Sequence, residues 1–442
     1  MKQFCGDDLL LQTETAKLLY SEIKSLPIID YHCHLNPKRI AENDAYTDIG
    51  SLWLAEDHYK WRAMRLCGIK EEFITGDADF HKKFLKYAEI LPNLCGNPLY
   101  YWTHMELRQI FGIEKPLSAE TAEEIYREAN GKAERMSPQY LLNRFAVNYL
   151  ATTDDPIDNL QYHGKHSNTL VAPTFRPDKV FTLDAAYLSL LGKAAGCDAN
   201  TLGGLLEALI RRLDFFVSQG CRISDQSFEK FPTRSATREE AERLFKNRGM
   251  LSADEKEALF GFLLGFLLRE YRKRNMTAQL HFAVTRNVNP EAFRSIGVDS
   301  GFDTMSASPD PRTLLAFLAS IPDTERPGIL LYSLNDSALP SLACAAGAFR
   351  NVRLGAAWWF NDTPLGIRRN LEILAEYSAL GTCSGMLTDS RSFSSYVRFD
   401  FFRRILADFV GGYVDRGEYD LAAAKALMHK IVYDNPKALI GQ

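Results

Sequence analysis

The run His32-Cys33-His34 sets two imidazoles one residue apart. In an extended segment residues i and i+2 project to the same face, so both rings point the same way. Two neutral imidazoles on one face can hold a divalent metal ion. Taken alone, the pattern describes equally well two loop histidines with unrelated hydrogen bonds. Its company gives it weight, because His281 and Asp389 also close short apolar runs elsewhere in the chain. Singly, His281 could be a satisfied core histidine and Asp389 a helix cap. A second group accompanies the first: Arg176, Asp225 and Arg391 each follow such a run. A planar guanidinium is well suited to clamp a carboxylate, so two arginines at one mouth point to an anionic small molecule. Solvated loop arginines or structural ion pairs are the plainer alternative. Trp358 and Trp359 offer a flat face for a sugar or, as readily, core packing.

These residues need elements that bring them to one place. Eight apolar runs have strand character, at 28–32, 149–153, 169–173, 220–224, 278–282, 328–332, 352–355 and 385–388. Helical patterns such as 202–218, 311–320, 338–349 and 364–378 separate most of them. Apolar strands alternating with helices imply a parallel sheet covered on both faces. Eight such units imply an α/β fold, a closed (β/α)8 TIM-type barrel, whose catalytic residues come from the C-terminal ends of the strands. A plain barrel takes about 250 residues, which leaves roughly 190 of the 442 to be placed. The long stretch between the first two runs carries helical patterns at 51–67, 80–90, 101–110 and 121–129, with Gly-Asn-Pro and Lys-Pro punctuation between them. We read 1–34 as an N-terminal helix and first barrel strand, 35–146 as a mainly helical insertion over the mouth, and 147–442 as the remainder of the barrel.

Composition narrows the partners. Lys+Arg number 52 against 56 Asp+Glu, for a formal net charge of −4, and apolar residues make up 46%. No basic excess advertises nucleic acid or a membrane surface. Local arginines, rather than overall charge, would recruit an acidic ligand. The most apolar run, Gly261 to Leu268, falls far short of the roughly 18 residues of a membrane span. Asp7-Asp8 interrupts the start before an apolar leader can form. The eight cysteines are dilute and contain no CxxC, which suits reduced thiols in a cytoplasmic protein. No phosphate loop or dinucleotide fingerprint appears.

The motifs resemble those of the uronate isomerase family. The resemblance is carried by Ile29-Asp30-Tyr31-His32-Cys33-His34-Leu35, Asp57-His58-Tyr59-Lys60-Trp61-Arg62, and Gly96-Asn97-Pro98-Leu99-Tyr100 with Trp102-Thr103-His104. It continues through Pro173-Thr174-Phe175-Arg176-Pro177-Asp178, Trp358-Trp359-Phe360-Asn361-Asp362 and Met386-Leu387-Thr388-Asp389-Ser390-Arg391-Ser392-Phe393. These run in order from about residue 25 to 412, and the breadth makes the resemblance specific.

The resemblance implies an amidohydrolase-superfamily barrel that interconverts D-glucuronate with D-fructuronate, and D-galacturonate with D-tagaturonate, in hexuronate catabolism. It implies one divalent metal, zinc being the expected ion, which such an isomerase need not strictly require. By position His32, His34 and Asp389 look like metal ligands, with His281 metal-proximal or an acid/base group. Tyr59, Arg176, Asp225, Trp358 and Arg391 look like substrate-site residues. We expect proton transfer between C2 and C1 through an enediol, with Tyr59 as the transfer group assisted by His58. An ordinary tyrosine pKa near 10 is too high for that role, so nearby cations would have to lower it. His281 or Asp389 would assist ring opening, and Arg176 and Arg391 would hold the C6 carboxylate or hydroxyls.

The chain also departs from the wider pattern. Strand four lacks a lysine that could bridge two metals, and the run at 329–334 ends without histidine. Both absences argue for one metal at most. Gln226 stands where many family members are expected to carry histidine. A mononuclear metal hydrolase, a decarboxylase of the same superfamily and a non-enzymatic binding protein stay open as alternatives. A homo-oligomer is the expected state.

Overall fold

The computed structural model describes residues 3–229, 231–308 and 310–441. Its strands are β1 (Ile28–Asp30), β2 (Val147–Ala151), β3 (Gly164–His166), β4 (Thr169–Ala172) and β5 (Ile223–Ser227), followed by β6 (Thr277–Phe282), β7 (Val284–Thr285), β8 (Thr304–Met305), β9 (Gly328–Ser333) and β10 (Val352–Leu354). They form two four-stranded sheets, ordered β1-β2-β4-β3 and β10-β9-β6-β5, with β7 and β8 a separate pair. Every pairing is parallel except the short β3–β4 and β7–β8 hairpins. Single parallel bridges from Phe175 to Asp154 and to Ser224 join the two sheets into one wall. The barrel strands are buried almost throughout, as covered parallel strands must be.

Seven of the eight expected runs form barrel strands. The fourth is displaced: β5 begins at Ile223, because Gly220 takes φ +92° and ends the preceding helix, Leu202–Ser218. Asp225 therefore lies within the strand rather than after it. The run 385–388 forms no ladder. Gly385 and Asp389 bracket it in the left-handed region, at φ +71° and +48°. It still closes the barrel, since Asp389 N–H donates to His32 O at 3.1 Å and His34 N–H to Ser390 O at 2.9 Å.

Between β1 and β2 the chain is helical, with no strand. The helix His58–Leu66 matters most for the mouth. Its N-cap Asp57 accepts from the backbone N–H groups of Tyr59 and Lys60, fixing where the helix starts. Arg62 donates to the carbonyls of Gly301 (3.3 Å) and Asp303 (3.1 Å), and Arg65 to that of Ser300, tying the insertion to the loop after β7. All eight cysteines are free. No helix among the described residues is long and apolar enough to cross a membrane.

Candidate active site

His32 and His34 leave β1 at its C-terminal end and aim at one carboxylate oxygen. The Nε2 atoms of His32 and His34 lie 3.2 and 3.1 Å from Asp389 Oδ1. The other oxygen, Oδ2, accepts the indole N–H of Trp358 at 2.8 Å. Burial works to raise the Asp389 carboxyl, but its bonds to His32 and His34 hold it well below the usual range. Burial pushes His34 down to about 4. It acts on His32 too, but there Asp225 and Asp389 prevail and the net shift is upward.

These three residues fit a metal. Each offers one ligand atom and all lie within 4.8 Å of one another, the one such group among the described residues. Two imidazoles and a carboxylate with positions left open is a donor set that suits a catalytic divalent ion. His281 stands beside this group rather than in it, its ring 5.0 Å from that of His32. Its Nδ1 is 2.6 Å from Asp225 Oδ1, and its Nε2 is buried without a partner. Burial lowers its pKa, so the ring is neutral, with Nδ1–H donating to Asp225 and Nε2 free to accept.

Asp225 is fully buried and serves two partners, since Arg176 Nη1 lies 3.2 Å from its Oδ2. Arg176 Nε donates to Asp178 at 3.1 Å, and Asp178 in turn accepts from the Ser227 N–H of β5. Gln226, next along β5, alternates to the opposite face and donates to the Tyr271 hydroxyl at 2.6 Å. The unexpected glutamine therefore faces away from the mouth.

A cavity of about 780 Å³ opens over this set, lined by all the expected residues except Tyr59. Its walls carry eight carboxylates against four cations, Arg176, Lys179, Arg286 and Arg391. Each cation already has a carboxylate partner: Asp225 and Asp178, Asp155, Asp303 and Asp299 respectively. The arginines expected to recruit an acid are thus held in ion pairs in this structure. The mouth by itself is net negative, and a bound divalent cation would offset part of that.

Tyr59 stands apart from the cavity lining. Its hydroxyl is buried without a partner, and its ring packs 6.2 Å from Trp102 and under Arg398 at 4.8 Å. Burial drives the phenol well above its ordinary pKa, and Arg398 offsets only part of that. For the phenol to ionise, further nearby cationic charge would have to offset that burial. His58, its neighbour at the helix start, does line the cavity, 5.9 Å ring to ring from Trp359, with its pKa lowered by burial.

Sequence reasoning missed Arg286, Asp178 and Asp299. Arg286 lies five residues past His281 on the same connection, with its guanidinium 5.0 Å from the Trp359 ring. Scanning beyond the strand end, rather than stopping at its last histidine, would have found it.

The family model for glucuronate isomerase matches residues 1–440. The chain belongs to this family. A uronate isomerase of Lachnospira eligens is 39% identical, over 100% of this chain and 99% of that one. The crystal structure of a uronate isomerase from Thermotoga maritima superposes with a TM-score of 0.96 at 36% identity, covering 99% of this chain and 100% of that. The glucuronate isomerase structure from Caulobacter crescentus gives 0.93 at 26%, over 99% and 96%. Membership of the glucuronate isomerase family makes the chain an isomerase-type enzyme and its fold the (β/α)8 barrel with a helical insertion.

Proposed function

We propose that this enzyme interconverts D-glucuronate with D-fructuronate, and D-galacturonate with D-tagaturonate, at the mouth built on His32, His34 and Asp389. The observation that supports this best is the convergence of that trio with the arginine–aspartate pairs Arg176–Asp225 and Arg391–Asp299 in a chain of the glucuronate isomerase family. His32, His34 and Asp389 would hold one divalent metal, for which zinc suits the two imidazoles and a carboxylate. When bound, such an ion supplies Lewis-acid polarisation of oxygen and offsets the negative mouth.

The chain's own residues would do the rest. Arg391 and Arg176 orient the C6 carboxylate and hydroxyls, exchanging part of their hold on Asp299 and Asp178 for the substrate. His281 accepts a proton at Nε2 during ring opening, while Asp225 holds the other ring nitrogen. Transfer between C2 and C1 falls to Tyr59, assisted by neutral His58, its neighbour at the helix start. Trp358 packs on the sugar and fixes Asp389. The insertion, 35–146, acts as a lid on a barrel formed by 1–34 and 147–442, excluding water from the enediol. The eight free cysteines fit a cytoplasmic setting.

Incubation with each uronate, read by ketose formation, tests the reading. We expect ketose from both. No ketose from either would overturn it.

A further inference from the structure

Asp389 sits on the one barrel segment that has no strand ladder; its own N–H is held by the His32 carbonyl, but the chain leading into it needs further support. Three side-chain bonds supply it, all on the preceding residue. Asp30 Oδ1 accepts the Thr388 N–H at 3.0 Å, and Asp30 Oδ2 accepts the Thr388 hydroxyl at 2.6 Å. From the other side Arg398 donates to the Thr388 carbonyl at 3.0 Å. Asp30, Thr388 and Arg398 are each at most 2% exposed, so no water competes for these bonds.

We propose that Asp30 and Arg398 are positioning residues that clamp Thr388 and thereby fix Asp389 for metal binding. The residue they hold is gripped at its N–H, its hydroxyl and its carbonyl, which leaves its peptide planes little freedom. The next residue adopts φ +48°, a conformation that side chains other than glycine rarely hold unsupported. Without the clamp Asp389 would relax, and its Oδ1 would leave the point where His32 and His34 converge. The two clamping residues come from separate elements. Asp30 ends β1, two residues before His32, while Arg398 begins the helix Val397–Asp415. Arg398 also lies 4.0 Å over the Trp102 ring and 4.8 Å over Tyr59, so the insertion is docked on the same residue that holds Thr388. The position of Asp389 is thus tied to the seating of the lid.

The inference rests on the metal reading above, and zinc binding itself is the readout. The purified protein, stripped by chelator, is titrated with zinc against a chromogenic chelator of known affinity. Thr388→Val keeps shape but deletes the hydroxyl bond, and Arg398→Met deletes the carbonyl bond. Each should weaken zinc binding by about tenfold or more. Asp30→Asn, which can still accept the N–H and donate to the hydroxyl, should hold affinity within about threefold, and Asp30→Ala should not. Thr169→Val is the control. It deletes an equally buried hydroxyl that donates to Val147 O on β2, at the opposite end of the barrel. It should leave affinity within about twofold. Equal binding by wild type and Thr388→Val, or an equal loss in Thr169→Val, overturns the clamp. Should one clamp variant fail to fold, the other decides. Absence of ketose with these zinc affinities intact would strike the isomerase reading and leave the clamp standing. Failure of the wild type to bind zinc would sink the clamp with the metal site.

Discussion

Trp358 and Asp389 share a bond of 2.8 Å on the carboxylate oxygen that His32 and His34 leave alone. The carboxylate is therefore divided, with one oxygen facing the histidines and the other pinned to an indole. Trp358→Phe keeps an aromatic ring where the Trp358 ring lies 4.4 Å from that of His281, but removes the N–H along with part of the ring. The freed carboxylate can rotate, and outer hydrogen bonds of this kind are typically worth about 10- to 100-fold. We expect kcat to fall by about that factor with an unchanged melting temperature. Wild-type kcat in a folded Trp358→Phe enzyme would show that the bond does not orient Asp389.

Asp225 governs His281 in the same manner. The 2.6 Å contact at Nδ1 keeps the proton there and leaves Nε2 as the acceptor. Asp225→Asn can turn its amide N–H toward Nδ1, which reverses the tautomer, and it removes the charge that Arg176 is paired with. Both effects act on turnover, so we expect kcat to drop at least about tenfold and KM to rise. Nitrogen-15 NMR of the His281 ring should show the proton moved to Nε2. An unmoved proton would refute the tautomer argument whatever the kinetics.

Much of this arrangement was readable from the sequence, and the reasons for the misses are local. HxH on a strand end and an aspartate closing the last run depend on a period of two and on barrel geometry, both sequence-visible. The Asp225 position survived although β5 starts three residues later than expected, because a shift of the strand start moves the boundary and not the face. The setting of Tyr59 was not legible because it is tertiary. Its burial against Trp102 and Arg398 joins residues 59, 102 and 398, and no local pattern announces it. The pairing of Arg391 with Asp299 was hidden for the same reason, and so was the clamp on Thr388. The eighth run reads as a strand in the sequence, yet two left-handed residues deny it a ladder.

Metal removal supplies a third prediction. A ligand that binds only the folded state stabilises it by RT ln(1 + [L]/Kd). Zinc should therefore raise the melting temperature of the stripped wild-type protein, and excess chelator should reverse the rise. His34→Ala and Asp389→Asn each remove one donor from the trio and should lose most of that shift. A wild-type-sized shift in both variants would place the ion elsewhere.

Asp362 offers a test through pH. It is 2% exposed, its Oδ1 has no partner, and Arg398 lies 3.9 Å from its Oδ2. Burial raises its carboxyl from the ordinary 3.8 to about 7, with Arg398 pulling back and Asp389 adding to the rise. Between those two values the folded protein keeps a proton that the unfolded chain has released. Stability must therefore fall as pH climbs through that window, by at most about 1.4 kcal/mol for each unit of separation. Below the window the contribution is fully present, and above it the loss is complete. Asp362→Asn has no proton to lose there, so its stability should change less between pH 5 and pH 8 than that of the wild type. Thermal midpoints of both proteins across this range measure the difference. We expect the variant to gain on the wild type as pH rises, and midpoint curves that run parallel would refute the assignment.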